Sequence, residues 1–296
     1  MRKAKLITVM CCISITMFFW LIPPSWGRGP WHWVMTLRQP KIKDAMINPT
    51  ALYIDPHKGN YYVVDSGKDR LLSFDHKGKL LHIFTAGDEL DLPMDMTRGP
   101  QGNVWVVEKG KNSLSLIDLK AKKVIRHHLK VDGRKIYPHR VELSGGLFYI
   151  LDKESGDVFA FTPEMELEKR YSCGDCSQGF IDFKVYKDIF LAMSMDQGGT
   201  IYEFSLDGKL KKRLSLDGRA LFPVSVCRGP SGYFYVLDRH NSRVLVFDKQ
   251  GVFKYGFLEF GSSQGQLYYP IEIRFDPWGR LCVVEEGNAR VEVFAR

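Results

Sequence analysis

One register of self-similarity runs through almost the whole chain. The segment YYVVDSGKDRLLSFDHKG (61–78) aligns with five later segments, beginning at Asn103, Leu147, Ile189, Tyr233 and Arg280. A column at the end of the first apolar run reads Asp65, Glu108, Asp152, Met195, Asp238 and Glu285, with steps of 43, 44, 43, 43 and 47 residues. A second column reads Arg70, Ser113, Asp157, Thr200, Arg243 and Arg290, always with four residues between the two columns. A gap that never changes is what a fixed turn between two paired strands produces. The runs are β-branched and aromatic, separated by Gly, Asp and Asn turns, and no helix-period stretch stands out past residue 30.

A repeat of about 44 residues carrying several strands is the signature of a propeller blade. From Trp33 to Arg296 there are 264 residues, room for six. The last repeat stops after its third strand, VEVFAR, and lacks the outer strand that LLHIF (80–84) supplies in the first. The unused strand-like piece is HWVMTLR (32–38), which predicts an N-terminal strand completing the last blade and removing an open edge. The expected fold is therefore all-β: a six-bladed β-propeller of four-stranded antiparallel blades over residues 28–296.

The repeats also resemble a family. DRHNSRVLVFDKQG followed by FGSSQGQLYYP, in the fifth repeat, resembles an NHL repeat. EEGNARVEVF in the sixth is similar, DSGKDRLLSFDHKG in the first less closely, and the second to fourth are degenerate. The resemblance implies the propeller and little about chemistry, because this fold hosts receptors, RNA-binding modules, scaffolds and a few enzymes.

Ahead of the repeats, Arg2, Lys3 and Lys5 precede the uncharged run Leu6 to Ile22, then Pro23, Pro24 and Ser25-Trp26-Gly27. This is the order of an export signal with small residues at −3 and −1 of a cut after Gly27. The 17-residue run is also just long enough for a membrane anchor over residues 6–22. Residues 1–27 are thus read as a signal peptide or anchor, with the remainder exported to the periplasm, the cell surface or the medium. The net charge of +8 falls to +5 without them, 39 basic against 34 acidic residues, short of a nucleic-acid-binding signature.

Chemical candidates are few. The acid column is read as structural, because Asp65, Asp238 and Glu285 each face an Arg across the turn, Arg70, Arg243 and Arg290. Cys173-Gly-Asp-Cys176 lacks the following His of a haem attachment motif, and no second pair completes a zinc site. Export favours a local Cys173–Cys176 disulfide, with redox activity as the alternative, and Cys227 and Cys282 read as buried apolar residues. Peptide-amidating lyases that resemble the family hold zinc with several axial histidines. Only His139, after Pro138, stands near the axis here.

The innermost strand of each repeat begins at Pro49, Pro93, Pro138, Phe180, Pro223 and Pro270. Two residues on lie Ala51, Asp95, Arg140, Asp182, Ser225 and Glu272, and two further Tyr53, Thr97, Glu142, Lys184, Cys227 and Arg274. Between them, Leu52, Met96, Val141, Phe183, Val226 and Ile273 should pack between blades. Asp95, Arg140, Asp182 and Glu272, with His139, are the candidate ligand-binding ring. It is either a mutually paired channel or a site for a small polar ligand or Ca²⁺, with no other cofactor expected. The function expected is a non-enzymatic binding or scaffold module. It would hold a protein, peptide or glycan partner on the face that carries the loops between blades. The alternative is a metal-dependent lyase or hydrolase with its site at the axis.

Overall fold

The computed structural model describes residues 30–99, 102–119, 121 and 123–296. Residues 1–27, read above as a signal peptide or anchor, lie outside them. Among the described residues, no helix is long and apolar enough to cross a membrane.

The described residues form six four-stranded antiparallel sheets. Each sheet runs in chain order from an innermost strand outward. Blade one is Pro49–Ile54, Tyr61–Asp65, Arg70–Phe74 and Leu80–Phe84, and the next four blades repeat that order. In the sixth, Pro270–Phe275, Leu281–Glu285 and Arg290–Ala295 are joined by His32–Leu37, which pairs antiparallel with the C-terminal strand. Trp33 Nε1 and Thr36 Oγ1 both donate to the buried Glu292 carboxylate, at 2.6 and 2.8 Å, and Leu37 is fully buried. The strand His32–Leu37 and the last strand of the chain therefore share one sheet, and the sixth blade has four strands like the other five.

Six apolar clusters hold the ring together, one at each junction between neighbouring blades. Leu52, Met96, Val141, Phe183, Val226 and Ile273 are all buried in these junctions or beside them. The strand period of two then leaves the residues on either side of them pointing to the axis.

One element was not read from the sequence. A small hairpin, Lys130–Val131 with Arg134–Lys135, stands between blades two and three, turning at Asp132 and Gly133, both with positive φ. Asp-Gly supports the mirror-image turn such hairpins need.

The closure yields a direct test. Deleting residues 32–38 should strip the ladder from Arg290–Ala295 and leave Glu292 buried without its two side-chain donors. We expect aggregation or loss of cooperative thermal unfolding, read by calorimetry. An unchanged melt would contradict the closure.

Candidate functional site: the axial channel

An innermost propeller strand is an edge. One row of its backbone N–H groups faces the axis instead of a neighbouring strand, and buried donors must find acceptors. Here the acceptors are side chains of the preceding blade. Asp95 of blade two takes Val141 N at 2.9 Å in blade three, and Glu142 of blade three takes Val185 N at 2.7 Å in blade four. Asp182 takes Val226 N at 2.9 Å in blade five, and the Ser225 hydroxyl takes Ile273 N at 3.2 Å in blade six. Glu272 takes Leu52 N at 2.8 Å in blade one, across the chain closure. Blade one offers only Ala51, and there Met96 N is met instead by Asp95 of its own strand, at 2.7 Å.

Four buried or half-buried carboxylates at one axis repel one another unless cations join them. Three do. Arg274 Nε lies 2.5 Å from Glu272 Oε1 and its Nη1 is 2.8 Å from Glu142 Oε1. Lys184 Nζ lies 2.8 Å from Asp182 and 3.8 Å from Glu272. Arg140, which cannot accept a bond, reaches across the channel to Thr50 O at 2.9 Å and to Glu272 at 3.6 Å. Arg140, Asp182 and Glu272 are thus brought together in one ion-paired network through Lys184 and Arg274, while Asp95 lies beside it and bonds only to backbone N–H groups.

The two extreme carboxyls show how the network divides its charge. Burial would push Glu272 up, but Arg274, then Arg140 and Lys184, outweigh it and hold the group down at about 2. Asp95 makes no ion pair within 4 Å among the described residues, so burial prevails over more distant Arg140 and it rises to about 6. His139 is held down at about 3 by burial, with Arg140, Lys153 and Lys109 adding to the effect, so it is neutral at pH 7. Among the described residues, no group of three or more His, Cys, Asp or Glu is arranged to hold a metal ion. Carboxylates already facing Arg and Lys fit a calcium ion poorly.

Below this network the channel widens into a cavity of about 250 Å³. It lies at the far ends of the inner strands, beside the turns to the second strands, and not at the face of the interblade loops. Tyr53, Thr97, Glu142, Lys184, Cys227 and Arg274, the second polar set of the sequence, line it. Tyr186 and Arg228 also line it and were not among the sequence candidates. One more step of the same period of two leads from Lys184 to Tyr186. Arg228, at the end of its strand, carries no such signal.

The acid column lies elsewhere, at the interblade face. Asp65, Glu108, Asp152, Asp238 and Glu285 are buried at the ends of second strands. Each accepts backbone N–H groups of the loop entering its own blade: Ile47 and Asn48, Asp91, Tyr137, Leu221 and Phe222, and Tyr268. The three Arg partners stand at 2.8, 3.2 and 2.7 Å from Asp65, Asp238 and Glu285. In blade four, where Met195 breaks the column, Asp196 accepts from Ser177 N at 3.2 Å. Cys173 and Cys176 are bonded to each other in the loop entering that blade, with Cα atoms 5.7 Å apart.

The raised Asp95 carboxyl has a consequence for stability. The folded chain holds this proton more tightly than the unfolded chain, whose carboxyl titrates near 3.9. The stability it contributes is full below that value and is lost as pH rises through about 6. Asp95→Asn cannot ionise, so it should flatten this slope; its single carbonyl oxygen keeps one of the two backbone bonds from Met96 N and Val141 N, and loss of the other should lower stability about equally at both pH values. Urea melts at pH 5 and pH 7.5 read the difference. A variant whose stability still falls from pH 5 to pH 7.5 as steeply as wild type would contradict the assignment.

Residues 221–247, spanning the first three strands of blade five, match the NHL repeat family. A comparison with curated proteins gives no sequence relative. Among solved structures, the chain is similar to a virginiamycin B lyase from Staphylococcus aureus, with TM-score 0.63, 13% identity, and 90% of this chain and 99% of that one covered. It is also similar to a gluconolactonase from Xanthomonas campestris (TM-score 0.60, 13% identity, 84% and 88% covered) and to hydrazine synthase from Kuenenia stuttgartiensis (0.56, 12%, 84% and 95%). Likeness at this identity is likeness of fold. The chain is a six-bladed β-propeller with an NHL repeat in its fifth blade.

Proposed function

We propose that this chain is an exported, non-enzymatic binding module that holds a protein or peptide partner on its interblade-loop face. One observation carries the reading. Large apolar side chains are exposed there, at the residues just before the inner strands: Leu92, Tyr137, Leu221, Phe222 and Tyr269. Apolar groups gathered on one face mark interaction surfaces. These sit on backbone fixed by the buried carboxylates, and Leu92 and Tyr269 hold positive φ, 46° and 47°. Non-glycine residues keep that conformation only where the surroundings impose it. A pre-set surface loses little freedom on binding, which favours affinity. A glycan could use the same aromatic side chains. An export signal at residues 1–27 suits a partner outside the cytoplasm.

The second reading, a metal-dependent lyase or hydrolase, draws on the structural likeness to a lyase and a gluconolactonase. Against it stands the axial network, whose acids and bases already engage one another and the strand edges. The test pairs capture with metal analysis. Chain exported from its native host should enrich one species by cross-linking and carry no stoichiometric metal. Leu221→Asp with Phe222→Asp, at exposed positions, should lose that species and leave the melt unchanged. Undiminished capture by this variant, or a stoichiometric metal with turnover of a lactone or ester, would contradict the reading.

A further inference from the structure

The geometry points to the axial cavity, at the end opposite the interblade loops, as a binding site for a small organic carboxylate carrying an apolar body. The inference does not depend on the protein-binding face. It starts from donors and acceptors. Tyr53 and Thr97 line the cavity with hydroxyls that make no hydrogen bond among the described residues. Tyr186 Oη accepts Arg228 N at 2.7 Å, so its own hydrogen remains to be donated. Arg274 donates Nε to Glu272, while its Nη1 stands 2.8 Å from Glu142 Oε1 as an ion pair outside hydrogen-bond alignment, which leaves the hydrogens of Nη1 and Nη2 for a ligand. The Arg228 guanidinium meets Asp188 at 3.8 Å, and that aspartate side chain is 70% exposed, so solvent weakens the pair.

The acceptors are fewer. Lys184 gives its hydrogens to Asp182 and to Phe183 O, so it supplies charge and little donation. Glu142 Oε1 faces Arg274 outside hydrogen-bond alignment. A cavity with three hydroxyl donors, two guanidinium groups and one acid favours an anion with planar oxygens. Guanidinium matches that shape with two parallel bonds. Glu142 Oε1 would take one N–H or O–H of the same ligand.

The rest of the wall decides the body of the ligand. Ile54, Leu143 and Phe275 line the cavity beside the polar groups. Its volume of about 250 Å³ is below the ~300–1,000 Å³ of pockets for drug-sized ligands. It therefore suits one acyl or amino-acid unit. That unit could be a free small acid or the C-terminal residue of a peptide, which present the same carboxylate beside an apolar group.

The test uses the full exported chain and a panel of acetate, phenylacetate and N-acetyl-leucine, each against its amide. An acetylated tetrapeptide ending in leucine is the further arm. We expect at least one acid to raise the melting temperature saturably, with its amide at least tenfold weaker by calorimetry. Arg228→Ala should weaken that acid about tenfold without lowering the melt of the free protein, and Thr97→Val should weaken it a few-fold. Tetrapeptide binding tighter than N-acetyl-leucine assigns the site to chain ends; weaker binding assigns it to free acids. Either result supports the carboxylate site. If no acid shifts the melt, if amides bind equally, or if Arg228→Ala binds as wild type, the inference is overturned. Loss of cross-linking at the loop face with acid binding intact would fall on the protein-binding reading alone.

Discussion

The innermost strand of each blade has a free edge, and the axis of the molecule is built around satisfying it. Six strands bring buried N–H groups to one channel, where an unmet donor costs about 1–3 kcal/mol. Asp95, Glu142, Asp182, Ser225 and Glu272 meet those donors from the blade before. Every such bond also ties one blade to the next. The acceptors are mostly acids, so the solution creates a second problem, like charge in a buried column. Arg140, Lys184 and Arg274 answer it, and the network of charges follows from the edges.

A related device works at the interblade face. The acid that ends each second strand accepts the N–H groups of the loop arriving from the previous blade, except in blade four, where Asp196 substitutes. These bonds anchor the backbone from which exposed Leu, Phe and Tyr side chains project. At the opposite end, the charged column forms the floor of a cavity whose walls still offer hydroxyls and guanidinium groups. The two ends thus differ in chemistry: exposed apolar side chains at one, hydroxyls and guanidinium groups at the other. Both rest on carboxylates turned toward the protein's own backbone.

Much of this was legible in the sequence because a propeller writes its geometry as a period. The constant gap between Asp65 and Arg70 and their counterparts fixed the hairpins, and the alternation after each Pro identified Leu52 to Ile273 as interblade apolar residues and Asp95 to Glu272 as axial. The direction in which an axial carboxylate spends its lone pairs was not legible. Asp182 could have faced a ligand, and it faces Val226 N, Ser225 and Lys184 because of a register between blades that no local pattern records. The cavity was hidden for a similar reason. Its walls come from six inner strands, and which end of the channel stays open depends on where side chains such as Arg140 cross it. The hairpin at Asp132-Gly133 carried a usable turn signal that the blade period masked.

The central claim is that axial side chains satisfy inner-strand edges and so latch blade to blade. Native-state hydrogen exchange reads it most directly, at the amides of Leu52, Val141, Val185, Val226 and Ile273. If the latches hold, these amides exchange only with global unfolding, as slowly as ladder amides of the central strands. Exchange orders of magnitude faster than those neighbours, at a denaturant concentration where the fold persists, would contradict it.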